Sequence, residues 1–261
     1  MTSLQTSMIE SRAAAFACLL LLLPGISHSM TTFESPPQAV PLIELFTSEG
    51  CNSCPPADAW LSSLKGSAGL WTHYVPVTFH VTYWNGLGWR DRFAQKQFDA
   101  LQAVRASHAG TSVYTPGVFV AGKEWRAWRR SPHAHEQLSG GAVGVLKLAM
   151  GDTTADITFA SARLIAPPRV VLAWLQANES TEVRRGENAG KTLRHEFVVT
   201  RLQAAQMQDS DGTWHAALAT TVADTTTHQA AAVWVVDADE QPIQATGGWL
   251  SSTDAAQGRT D

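Results

Sequence analysis

The chain is poor in cysteine, in charge and in basic clusters. Its 261 residues include only 3 cysteines, too few for a four-thiolate zinc site or for a mini-protein stapled by disulfides. Charged residues make up 16% and sum to a net charge of −4. Without a basic block, binding that neutralises many nucleic-acid phosphates is not expected. The apolar run Ala13–Leu23 has 11 residues, whereas a helix needs about 20 to cross a bilayer core. What is present is apolar material for a core, 44% of residues, together with 10 tryptophans.

The N-terminus reads as an export signal. Arg12 precedes the apolar run, Pro24-Gly25 breaks it, and Ser27-His28-Ser29 supplies small residues at a cleavage position. Residues 1–29 are assigned as a signal peptide, which places the mature protein in the periplasm or outside the cell, with no stable membrane span after cleavage. Cys18 lies inside the removed segment, with Leu19–Leu23 continuing the apolar run beyond it, and this argues against a lipoprotein cysteine. Cys51 and Cys54 remain. In an oxidising compartment they are expected to form a disulfide.

Two textures follow. Val40–Thr47 is almost wholly apolar and reads as a strand buried on both faces, with one carboxylate, Glu44. After the CxxC, Trp60, Leu61 and Leu64 stand at helical spacing before Gly66. Tyr74–Tyr83 reads as a second buried strand and Asp91–His108 as a helix with Phe93, Phe98, Leu101 and Val104 on its apolar face. Thr115-Pro116 introduces a hairpin, and Ser131-Pro132 a short helix ending at Gly140-Gly141. Beyond residue 141, short segments with alternating polarity are separated by turn clusters, the pattern of an antiparallel β sandwich. Gly186–Gly190 reads as a hairpin turn. The expected architecture is an α/β thioredoxin-like domain over residues 38–140, then a mostly antiparallel, sandwich-like β domain over 141–250. A flexible tail at 251–261 completes it.

The chemistry centres on the CxxC. Zinc would need two further ligands, and His133 and His135 read as a solvated helix face, so no metal ligands are assigned. Where a buried strand turns into a helix, backbone amides and the helix dipole lower the pKa of a thiolate at Cys51. That thiolate attacks a partner disulfide, and Cys54 resolves the mixed disulfide. Glu44, costly in an apolar strand, is either a proton relay to Cys54 or an ordinary hydrogen-bonding group. Thr115-Pro116 is a candidate cis bond beside the thiols. Tyr83 and Trp84, with Thr115, are candidate substrate contacts, weighed against simple packing. His80 reads as a core histidine with a backbone partner, or as one that tunes a cysteine or joins a copper site with the thiols. Pro55-Pro56 removes amides near the thiols and weakens thiolate stabilisation.

In combination, ELFTSEGCNSCPPAD, FHVTYWNGLGWRDRF, VYTPGVFVAG and RRGENAGKTLRHEFVVTRL resemble an exported thioredoxin-like family known as domain of unknown function 1223, over residues 40 to 250. The resemblance implies a thioredoxin-like first half, a β-rich second half, export, and no settled substrate. It places the family cysteines at Cys51 and Cys54, its aromatic loop at His80, Tyr83 and Trp84, and its Thr-Pro at Thr115-Pro116. Three positions depart from it: Thr82 replaces an acid, Leu101 an arginine, and Gly117 a glutamine. The expected function is a thiol–disulfide oxidoreductase that works through its own redox-active disulfide, without another cofactor. Its partners would be exported proteins or small molecules with thiols or disulfides, and an unidentified electron donor or acceptor. The alternatives are a Cu(I)-binding or delivery module and a non-catalytic adaptor.

Overall fold

The structure is a computed structural model that describes residues 30–130, 140–161 and 166–250. The expected signal segment with Cys18, the short helix after Ser131, the histidines 133 and 135, and the tail lie outside the described residues. In chain order the first half contains β1 (Thr31–Glu34), β2 (Leu42–Thr47), α1 (Pro55–Ser63), β3 (Val75–His80), α2 (Lys96–His108), β4 (Gly117–Val120) and β5 (Lys123–Glu124). Strands β6 (Val145–Met150), β7 (Thr154–Ala160), β8 (Arg169–Gln176), β9 (Glu179–Glu182), β10 (Thr192–His195) and β11 (Val198–Gln206) follow. The chain continues with β12 (Gln208–Ser210), β13 (Thr213–Ala219), α3 (Val222–Thr227), β14 (Ala230–Val236) and β15 (Pro242–Trp249).

The expected α/β thioredoxin-like domain followed by a separate β domain is not what forms. The described residues are mostly β, with only two helices longer than six residues, α1 of 9 and α2 of 13. Strands β2–β5 do not make a sheet of their own. They are one side of an eight-stranded sheet ordered β15-β14-β8-β11-β3-β2-β4-β5. The physical reason is the free edge of β3. One edge pairs with β2 in parallel, and the other is taken in parallel by β11, where Val198 faces Thr78. A bare edge exposes unpaired backbone groups, and the second half of the chain covers this one. Local strand and helix patterns say nothing about such a partner.

A five-stranded antiparallel sheet, β1-β6-β7-β13-β12, stacks on the β14/β8 side of the large sheet. Along β14 alternate residues serve two cores: Ala231, Val233 and Val235 meet the smaller sheet, while Ala232 and Trp234 join the cluster with Phe79 and Phe98 of the α2 side. A third cluster packs α1, through Ala57, Trp60 and Leu61, against Ile43 and Leu45 of β2. The large sheet is therefore apolar on both faces, which is why β2, β3 and β14 are buried along their whole length.

Two adjacent glycines in β15 let aromatic rings approach the strand. A Cβ on Gly247 would stand 2.5 Å from the Ala231 carbonyl oxygen and 3.0 Å from Trp71 Cε3, and one on Gly248 would enter the Phe33 ring. Glycine inside a strand marks such close approaches. Gly247→Ala is expected to cost about 1–3 kcal/mol by overpacking. A denaturant midpoint unchanged from the parent protein would refute this.

Candidate functional site

The CxxC forms the turn between β2 and α1. Cys51 and Cys54 are joined in a disulfide, and both are fully buried. The helix starts at Pro55 with Cys54 as its N-cap, so Cys51 lies in the loop before the helix rather than at its first turn. Proline at the first helical positions is tolerated there because those amides lack intrahelical partners in any case. The loop is tight: the Cys51 amide donates to Ser48 O at 3.1 Å and the Cys54 amide to Cys51 O at 3.3 Å.

A segment distant in sequence closes over this loop. Asn188, fully buried in the turn between β9 and β10, donates from Nδ2 to Glu49 O and to Cys51 O, both at 2.9 Å. Glu187 accepts from the Asn52 amide at 3.2 Å, and Lys191 Nζ holds Asn188 Oδ1 at 2.9 Å. Gly186, with φ +77, lies where an added Cβ would be 3.3 Å from Trp89 Cβ. The glycine-rich segment is the expected hairpin turn, and it is also a clamp on the disulfide loop.

Beside the clamp is a buried histidine–carboxylate cluster. Asp91 Oδ2 accepts from His80 Nδ1 at 2.7 Å and from the Glu49 amide at 2.9 Å, while Oδ1 accepts from the Phe93 amide at 2.9 Å. Burial opposes charge on Asp91, but His80 and the two amides outweigh it and hold its pKa below the usual carboxylate value. The ionised carboxylate only accepts, so it keeps a proton on His80 Nδ1 and leaves Nε2 with no hydrogen-bond partner. His195, at the end of β10, crosses His80 edge-on with ring centroids 4.8 Å apart. Its Nδ1 is 3.4 Å from Asp58 Oδ1 and its Nε2 is 3.5 Å from Glu49 Oε1. Burial would discharge this ring, yet Asp58 and Glu49 prevail and lift its pKa from 6.5 to about 10. Glu49 Oε2 accepts from Trp89 Nε1 at 2.7 Å, and Thr47 Oγ1 donates to Asp58 Oδ2 at 2.8 Å. Among the described residues, Asp58, His80 and His195 form the one group of three or more such side chains with the spacing of metal ligands.

The residues singled out in the sequence fall into three places. Glu44 is committed to Arg105 of α2, whose Nε donates to its two oxygens at 2.9 and 2.8 Å, a buried ion pair with a helix rather than a hydrogen bond to a neighbouring loop. Thr115-Pro116 is a cis peptide. Trp84 Nε1 donates to Thr115 Oγ1 at 2.7 Å, and the Trp84 Cβ would be 3.1 Å from a Cβ on Gly50, next to Cys51. Trp84 and Thr115 are thus brought together at the rim of the disulfide loop. Tyr83 is exposed and donates to Gln102 at 3.2 Å. His80 has Asp91 as its partner rather than a backbone group. At the departing positions, Thr82 donates through its amide and hydroxyl to Asp99, so an acid from α2 stands where an acid at 82 is absent. A Cβ on Gly117 would stand 3.0 Å from the Tyr114 carbonyl oxygen and 3.1 Å from Gln102 Nε2, so a side chain there needs both to shift by a few tenths of an ångström.

Glu49, Asp58, Asp91, Asn188 and His195 were not singled out in the sequence. A signal existed: all of them lie within three of the four motifs that carried the family resemblance. Residues 42–236 match the family described as protein of unknown function, DUF1223. The chain belongs to that family. A crystal structure of a protein from Agrobacterium tumefaciens is similar at 23% identity, with a TM-score of 0.57, covering 81% of this chain and 94% of that one. HBP35 of Porphyromonas gingivalis is similar at 18% identity and a TM-score of 0.59, covering 81% and 75%. At these identities the likeness is one of fold. No curated protein matches the chain.

Proposed function

We propose that this DUF1223 member is an exported thiol–disulfide oxidoreductase whose centre is the Cys51/Cys54 couple. The observation that carries the reading is a disulfide set in a strand-to-helix turn and held closed by one side chain, Asn188, acting on the backbone carbonyls of that turn. In the reduced protein the Cys51 thiolate attacks a substrate disulfide, forming a mixed disulfide and releasing one substrate thiolate. The Cys54 thiolate then attacks Cys51 Sγ, releasing the second substrate thiol and re-forming Cys51–Cys54. Two electrons and two protons pass to the substrate, and the reverse sequence oxidises a dithiol.

Both sulfurs are buried, so exchange requires the disulfide loop to open; the 186–190 turn braces that loop through Asn188, and Trp84 and Thr115 stand at its rim as candidate partner contacts. Export is supported by the sequence features of residues 1–29, and oxidised cysteines accord with such a compartment. A Cu(I) site on the thiols needs them reduced, which the disulfide disfavours. The test is disulfide exchange with insulin and with glutathione. The purified protein is expected to catalyse it and Cys51→Ser to lose it; a Cys51→Ser protein as active as its parent refutes the proposal. Failure of Cys51 to react with a thiol reagent after mild reduction would leave the adaptor reading in its place.

A further inference from the structure

The structure assigns a second site that is independent of the thiol chemistry: we infer that His80, His195 and Asp58 bind a divalent transition-metal ion of the zinc class. The donor atoms of Asp58, His80 and His195 all lie within 4.8 Å of one another. In tetrahedral zinc coordination with bonds of about 2.0–2.1 Å, ligand atoms stand roughly 3.3 Å apart, so the side chains need to close by up to about 1.5 Å. Glu49 Oε1 lies 3.5 Å from His195 Nε2, across the ring from Asp58 at Nδ1, and stands outside this group.

The independent observation is an orphaned polar atom: His80 Nε2 is buried, in a residue 0% exposed, and has no hydrogen-bond partner, whereas His195 Nε2 and Glu49 Oε1 face each other at 3.5 Å. Buried polar atoms are satisfied in nearly all folded proteins, and an exception calls for an occupant. An apolar molecule would leave this nitrogen orphaned. A metal ion held with His195 and Asp58 satisfies it.

The surroundings have the form of an outer ligand shell. A histidine ligand usually donates its other ring nitrogen to a carboxylate, which fixes the ring and raises its basicity. His80 does so to Asp91 at 2.7 Å. Thr47 Oγ1 likewise orients Asp58 by donating to its Oδ2 at 2.8 Å. Two imidazoles with one carboxylate suit zinc and its neighbours better than magnesium or calcium, which prefer all-oxygen shells. Three buried carboxylates against two histidines also leave room for the charge of a dication.

The experiment is titration of chelator-stripped protein with Zn2+ and, separately, Co2+. One ion is expected per chain. Co2+ is expected to give tetrahedral d–d absorption without sulfur-to-metal charge transfer. The Cys51→Ser/Cys54→Ser double variant should bind as the parent does, which separates this site from the thiol proposal. Asp91→Asn should weaken binding about 10–100-fold, and His195→Gln should abolish the stoichiometric site. Absence of binding by the folded parent overturns the inference, as does a cobalt spectrum with thiolate bands. Because the cobalt spectrum is read on the parent protein, the inference stays testable if the histidine variant does not fold.

Discussion

Replacing Arg105 by methionine is expected to cost about 3–5 kcal/mol of folding stability, a large share of the roughly 5–15 kcal/mol that holds a domain folded. Arg105 is 1% exposed at its side chain and Glu44 is 0%. The arginine donates to both Glu44 oxygens in β2, and its Nη1 donates at 2.6 Å to Glu240 O in the turn between β14 and β15. One guanidinium therefore ties α2 to both wings of the large sheet. Removing it strands a carboxylate between Val77 and Phe119, its neighbours across the sheet. The double variant Glu44→Met/Arg105→Met is expected to recover most of the loss, because an apolar pair in place of a buried ion pair is often neutral or better. Urea unfolding of the parent, the single variant and the double variant measures both effects. A single variant within about 1 kcal/mol of the parent would show that Glu44 finds another partner.

Asn188→Ala is expected to speed reduction of the Cys51–Cys54 disulfide by dithiothreitol roughly tenfold or more. The substitution removes two hydrogen bonds to the carbonyls of Glu49 and Cys51. Lost buried partners cost about 1–3 kcal/mol, and each 1.4 kcal/mol changes an equilibrium about tenfold. The loss falls on the closed state of the turn, so the open population rises, and a reagent that reacts only with opened molecules reports that population. Global stability should fall by less than in the Arg105 variant, since the large sheet is untouched. An unchanged reduction rate with a folded protein would mean that Asn188 does not control access.

The sequence carries the local elements further than their assembly. The buried run in β2, the CxxC turn, the hairpin of β4 and β5 and the alternating strands beyond residue 141 follow from polarity and turn chemistry. The shared eight-stranded sheet does not, because the pairing of β3 with β11 depends on residues far apart in the chain. The face of α2 was also misjudged from apolar spacing. Leu101 and Val104 suit the pattern, yet Val104 is 37% exposed, while Gln102 and Arg105 are buried. Those polar residues point inward because Arg105 answers Glu44 and Gln102 donates to Tyr114 O. An inward polar residue is legible only once its partner is known. The histidine–carboxylate cluster follows the same logic. Its members lie in three separate motifs, and His80 alone was marked by sitting in a buried strand.

The join between β3 and β11 also sets an order of events. Thr78 Oγ1 donates to Glu196 O, 118 positions later, and contacts of such separation form late because a long loop must close first. A chain delivered N-terminus first presents both cysteines while β3 still lacks its neighbour and the 186–190 turn has not emerged. During that interval the bare edge is open to pairing with other chains. The same interval gives an oxidant free access to the two sulfurs. For a protein exported as proposed, oxidation would fall in this interval and concealment of the disulfide after it.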